Sequence, residues 1–199
     1  MATNPNAPFG FKYIGKTDGS PPNYGMRTGL IASANTHPTF VGDVLKPDSA
    51  GYLDVFTVAV GGGAPIGGVA VFFQWISKSQ NKTLIQNWWP GNGDALGDVT
   101  VFYQSDPTAL FQVQALLGPI QQTDVGSNAN FDVGAGGQTI GAGNQSSFSL
   151  TAVGSGASLP FKIYNLPVKG PNAALYSMAG YDATQPYNIV QVTINSLTA

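Results

Sequence analysis

Hydrophobic and polar residues alternate with a period of two along several short stretches of the chain, the pattern of half-buried β-strands. In 187–195, Val190, Val192 and Ile194 fall on one side and Gln191 and Thr193 on the other. In 109–116, Phe111, Val113 and Ala115 oppose Gln112 and Gln114. From about residue 38 onward, apolar runs alternate with turn residues. This predicts nine strands, at 39–45, 52–60, 65–77, 83–88, 98–104, 109–116, 147–152, 160–165 and 187–195. Such a set suits an all-β domain, either a β-barrel or a two-sheet sandwich of the β-tulip or jelly-roll kind.

The pattern changes at two places. Residues 1–29 carry Asn, Pro, Gly and Lys with Phe9, Phe11, Tyr13 and Tyr24 interspersed, and show no sustained period. They read as an extended N-terminal arm lying against a surface, with residues 30–199 as a single β-rich domain. From Val133 to Phe161 the chain runs 29 residues without a charge, much of it Gly and Ser, and part of this segment is expected to be covered. Val55 to Ser77 is also uncharged over 23 residues, long enough to cross a bilayer. Its centre, Gly61-Gly62-Gly63-Ala64-Pro65, breaks a helix, so two strands joined by a Gly-rich turn are predicted and no membrane span. The first thirty residues hold no apolar run of secretory-signal length, which predicts synthesis in a cytoplasm without a signal peptide.

Composition narrows the chemistry. Charged residues make up 9% of the 199, against a usual ~25%. All ten acids are Asp. Gly (26) and Pro (14) disfavour long helices. A net charge of −2 gives no electrostatic footprint for nucleic acid. The absence of Cys removes disulfides, thiolate metal sites and Cys nucleophiles, and the single His37 removes multi-His metal sites. No cofactor and no catalytic residue is predicted. So neutral a chain favours self-association, with parts of 133–161 as one candidate interface.

Four motifs need a decision. Gly10-Phe11-Lys12-Tyr13-Ile14-Gly15-Lys16-Thr17 satisfies the P-loop expression, but bulky residues fill the loop and Asp18-Gly19-Ser20-Pro21-Pro22 cannot open the helix that a phosphate cradle needs. His37 precedes Pro38 in a turn-like setting and is expected to make ordinary hydrogen bonds. Asp94 and Asp98 flank a Gly-rich stretch that lacks calcium-loop spacing and reads as a turn. Trp75, Trp88, Trp89 and Tyr103 offer aromatic rings that stack on sugars. Because adjacent strand residues face opposite ways, one of Trp88 and Trp89 is expected in the core and the other at an oligomer or partner interface.

Several segments are similar, in matching order, to tailed-bacteriophage capsid decoration (cement) proteins. They are Asn6-Ala7-Pro8-Phe9-Gly10-Phe11, Val41-Gly42-Asp43-Val44, Ala64-Pro65-Ile66-Gly67-Gly68-Val69, the run Val101 to Gln114, Asp124-Val125-Gly126-Ser127-Asn128-Ala129, and the closing strand Val190 to Asn195. The resemblance implies a non-enzymatic virion protein on the capsid exterior. Such a protein stabilises the head by clamping neighbouring subunits of the major capsid protein, as a homo-oligomer with a trimer favoured. Phe9, Phe11, Tyr13 and Tyr24 would then be the capsid-binding anchors of the arm. The alternative is a carbohydrate-binding or host-attachment β-module that uses the tryptophans.

Overall fold

The computed structural model describes residues 4–20, 25–58, 66–91, 93–116, 118–134, 145–154, 156–167 and 185–195. Among these the chain is all-β, with fourteen strands and one 3₁₀ turn, Gln122–Asp124. Every pairing between named strands is antiparallel.

The first sheet contains β1 (Lys12–Lys16), β10 (Ala109–Gln114), β11 (Asn128–Asp132), β12 (Ser149–Gly154), β13 (Phe161–Asn165) and β14 (Ile189–Ile194), in the order β1-β10-β14-β13-β11-β12. Its register follows from the alternation that the sequence shows. Phe111 lies opposite Val192 and Val113 opposite Val190, so both apolar rows fall on one face. The sheet curls until β12 returns to the end of β10: Leu116 N–H donates to the Leu150 carbonyl at 2.8 Å beside a parallel bridge from Ala115 to Leu150.

The second sheet joins β2 (Arg27–Ile31), β4 (Val44–Pro47), β5 (Leu53–Val55), β6 (Gly68–Ser77) and β9 (Val99–Gln104), in the order β2-β9-β6-β4-β5, with β7 (Lys82–Gln86) also on β6. A small third pairing joins β3 (Thr39–Phe40) to β8 (Trp88–Trp89). One face of the second sheet contributes Val44, Val55 and Val69 to a core shared with the first sheet, where Phe111, Phe131, Phe148 and Phe161 are fully buried. The next residues along, Leu45 and Ala70, enter a separate core with Phe73, Trp75, Trp89, Val99 and Val101. Strand alternation thus places β4 and the start of β6 between two apolar clusters, in a sandwich whose second layer has a core of its own.

Three strands lie where none was predicted. β1 includes Gly15, and β11 reads Asn-Ala-Asn-Phe-Asp, residues that favour turns, while β2 interrupts its apolar residues with Thr28 and Gly29. The expected strand 39–45 breaks at Gly42, whose φ of +89° ends β3 before β4 begins.

The arm also needs correction. Ala7 N–H donates to Gln114 Oε1 at 3.0 Å, and Gln114 Nε2 returns a bond to the Pro5 carbonyl at 2.9 Å. Phe11 is 1% exposed and stacks on Phe161 with ring centroids 4.1 Å apart. Residues 12–16 are an edge strand of the first sheet and 27–31 an edge strand of the second. An edge strand is held by backbone hydrogen bonds to a partner distant in sequence, so a window of polar and Gly residues joins a sheet without showing a period. In the described part of 133–161, the chain's own core covers Phe148, Leu150 and Phe161.

Phe11→Ala should therefore lower stability by about 3–5 kcal/mol in urea titration, as for a fully buried aromatic. Phe9→Ala, at a half-buried position, should lower it by much less. Equal small losses for both would return residues 4–16 to the status of an arm.

Candidate functional site

The aromatic residues expected to anchor a partner are mostly turned inward. Phe11 is in the core, Tyr13 packs on Phe111 with centroids 5.9 Å apart, and Phe9 is half-buried. Tyr24 lies outside the described residues. Trp89 is 0% exposed and meets Trp75 edge-on at 5.3 Å, so it is the member of the pair that enters the core, and of the two interface candidates only Trp88 remains. Trp88, its neighbour on β8, points the other way, is half-buried, and stacks on Phe40 with rings 9° from parallel.

The polar motifs resolve into structural contacts. Lys16 ends an edge strand, and its Nζ lies 2.8 Å from Asp106 Oδ2, tying β1 to the turn between β9 and β10. That hydrogen bond raises the Lys16 pKa, and together with the Thr108 N–H it lowers the Asp106 carboxyl to about 2. His37 Nδ1 sits 3.1 Å from both oxygens of Asp54, whose Oδ1 also accepts from Asn35 Nδ2 at 2.8 Å. Asp94 closes a turn by accepting from Ser77 Oγ at 2.7 Å and from Ser79 N–H at 2.8 Å. Among the described residues, no three His, Asp, Glu or Cys side chains gather to hold a metal ion.

One titratable group escaped the reading of the sequence. Asp43 is 0% exposed, although its only local signal was a carboxylate inside an apolar run. Its Oδ2 accepts the Phe40 N–H at 2.8 Å, and it bonds the Ser146 side chain. Burial pushes its pKa up to about 8 against the opposing pull of those two bonds.

One sheet face is open to the surface and exposes large apolar side chains. β2, β9, β6 and β7 are neighbours, and their inward residues fill the second core. Outward, cross-strand register sets Thr28, Phe102 and Phe72 in one row. The next row runs Leu30, Thr100, Gln74 and Ile85. Ile76 and Thr83 begin a third. None of these nine strand positions carries a charge. Leu30 and Ile76 are each 46% exposed, Ile85 66%, and Leu96, hydrogen-bonded to Ile76, 61%. This face was missed because β6 is apolar at both parities, which hides the outward set among the inward one.

No protein-family model, no curated protein and no solved structure matches the chain.

Asp43 gives a signed pH dependence. Its folded pKa of about 8 lies above the ordinary 3.8, so between those values the native protein keeps a proton that the unfolded chain has lost. Stability contributed by the protonated carboxyl is fully present below about pH 4 and falls as pH rises toward 8. The loss should amount to several kcal/mol, at about 1.4 kcal/mol per pKa unit. Asp106 acts in the opposite sense at the acid end, with stability lost as pH falls from about 4 through 2. Urea midpoints at pH 5 and pH 9 should show the alkaline loss in the native sequence, and Asp43→Asn should flatten it. Equal midpoints in the native sequence would refute this.

Proposed function

We propose that this chain is a non-enzymatic virion structural protein that binds the outer surface of a phage head and stabilises it by bridging neighbouring subunits of the major capsid protein. The observation that carries this reading is where the segments similar to decoration proteins meet. Phe11 N–H donates to the Gly42 carbonyl at 2.9 Å. Val44 pairs with Val69, and Val69 with Gln104. The run ending at Gln114 pairs with the closing strand through Phe111 and Val192. Five of the six similar segments thus join, through their described residues, in one continuous framework, as expected if they share a fold rather than scattered matches. A charge-poor surface fits many weak contacts repeated over a lattice, where multivalency compensates for modest single-site affinity.

The alternative, a carbohydrate-binding or host-attachment module, draws on Trp88, which keeps part of one ring exposed on a rigid aromatic stack.

Two measurements separate these readings. Antibody against the purified chain, applied to virions from the source of the sequence, should label the outside of heads. Label confined to tails, or absent from particles, overturns the proposal. A glycan array should show no specific ligand, whereas binding that Trp88→Ala abolishes would favour the carbohydrate module.

A further inference from the structure

We propose that the neutral outer face of β2, β9, β6 and β7 is a docking surface for a second copy of this chain, packed face to face about a two-fold axis. The inference does not depend on the capsid reading.

The pattern of the face supports a self-complementary contact. Its middle row reads Leu30, Thr100, Gln74, Ile85 across the four strands: apolar, polar, polar, apolar. A two-fold axis parallel to the strands, passing between β9 and β6, lays Leu30 on Ile85 of the second copy and Thr100 on its Gln74. The same rotation lays Phe102 on the second copy's Phe72. Within one copy these two rings already stack side by side, with centroids 4.0 Å apart. One operation therefore matches apolar with apolar and hydrogen-bonding with hydrogen-bonding groups across the middle row, and brings the phenylalanines of the first row together.

Charge points to the same occupant. An isologous contact brings every residue near its own symmetry copy, so a charged patch would repel itself. Here the nine strand positions are neutral. The nearest acid at the patch end, Asp98, is held by the Ser33 N–H and the Tyr52 hydroxyl, each at 3.1 Å. A partner of another kind selected by charge would need a charged surface here. Flat antiparallel sheets pack this way inside sandwiches, at about 10 Å separation.

Area sets the strength. Four strands about 4.8 Å apart and about five residues long, with their side-chain relief, present on the order of 500 Å² per copy. A pair then buries on the order of 1,000 Å², near the lower limit for specific association. The pair should form in the micromolar range and dissociate on dilution.

The chain has no cysteine, which makes cross-linking unambiguous. Light scattering from about 1 to 200 µM should show the mass rising from 20.6 kDa toward twice that value. Ile85→Lys should hold the mass at 20.6 kDa throughout, with an unchanged far-UV spectrum because the side chain is two-thirds exposed. Under oxidation, the double variant Leu30→Cys/Ile85→Cys should form a covalent pair. The two sites lie three strand spacings apart within one copy, too far for an internal disulfide. Leu30→Cys alone should link far less, because the rotation sets that site against Ile85 and not against itself. A monomer at every concentration, a trimeric mass, association unaffected by Ile85→Lys, or equal linking by the single and double variants would each overturn the proposal.

Discussion

The junction at Gly42 and Asp43 is the point on which the rest of the fold depends. Gly42 accepts from Phe11 N–H and donates to the Ala70 carbonyl, each at 2.9 Å, while the Asp43 carbonyl accepts from Ala70 N–H at the same distance. The incoming N-terminal segment, the start of β4 and the start of β6 are thereby fixed to one another by backbone groups alone. The approach leaves no room for side chains. A Cβ on Gly42 would lie 2.9 Å from Phe11 N, and one on Gly10 would lie 2.5 Å from Ser146 Cβ, and both glycines have positive φ. The Asp43 carboxyl completes the junction from below by capping the turn and binding Ser146. A carboxyl group buried this deeply is tolerated because burial raises its pKa to about 8, so that it keeps its proton at neutral pH.

From this junction the two sheets diverge, and their separate cores follow. β6 illustrates how. Val69 faces the shared core and Ala70 the second one. A register shift between Ala70 and Phe72 then inserts one residue, so that Phe73 and Trp75 face the second core and Phe72, Gln74 and Ile76 face solvent. The bulge changes which neighbour the far side of β6 meets, from the first sheet to open surface. The neutral face on which association is proposed thus arises from the same irregularity that lets one strand serve both layers.

The proposed function and the proposed pairing both draw on this low charge. With ten acids and eight bases in 199 residues, the surface has little long-range field to steer or repel a partner. Contacts then depend on shape and apolar area, which suits binding repeated over a lattice better than capture of a charged ligand. The side-chain ties at Lys16 and His37 are local. The Lys16–Asp106 ion pair fastens the edge strand β1, and the hydrogen bond between His37 and Asp54 fastens a loop onto β5.

The sequence by itself determined the all-β class and the central strands, because β10 and β14 alternate apolar and polar residues and their Phe111, Val113, Val190 and Val192 share one dry face. It also determined that one of Trp88 and Trp89 must be buried, since neighbours on a strand cannot share a face. Only the tertiary structure decided which one: Trp89 is buried because Trp75, on β6, supplies its partner. The fate of residues 4–16 was illegible for the same reason. Phe11 is core because Phe161, 150 positions away, stacks on it, and β1 is a strand because β10 offers it an edge. Nor could alternation alone reveal the outer face of β6 or the burial of Asp43. A periodic pattern records that a strand has two sides, but what covers each side is set by long-range register and by a bulge of one residue.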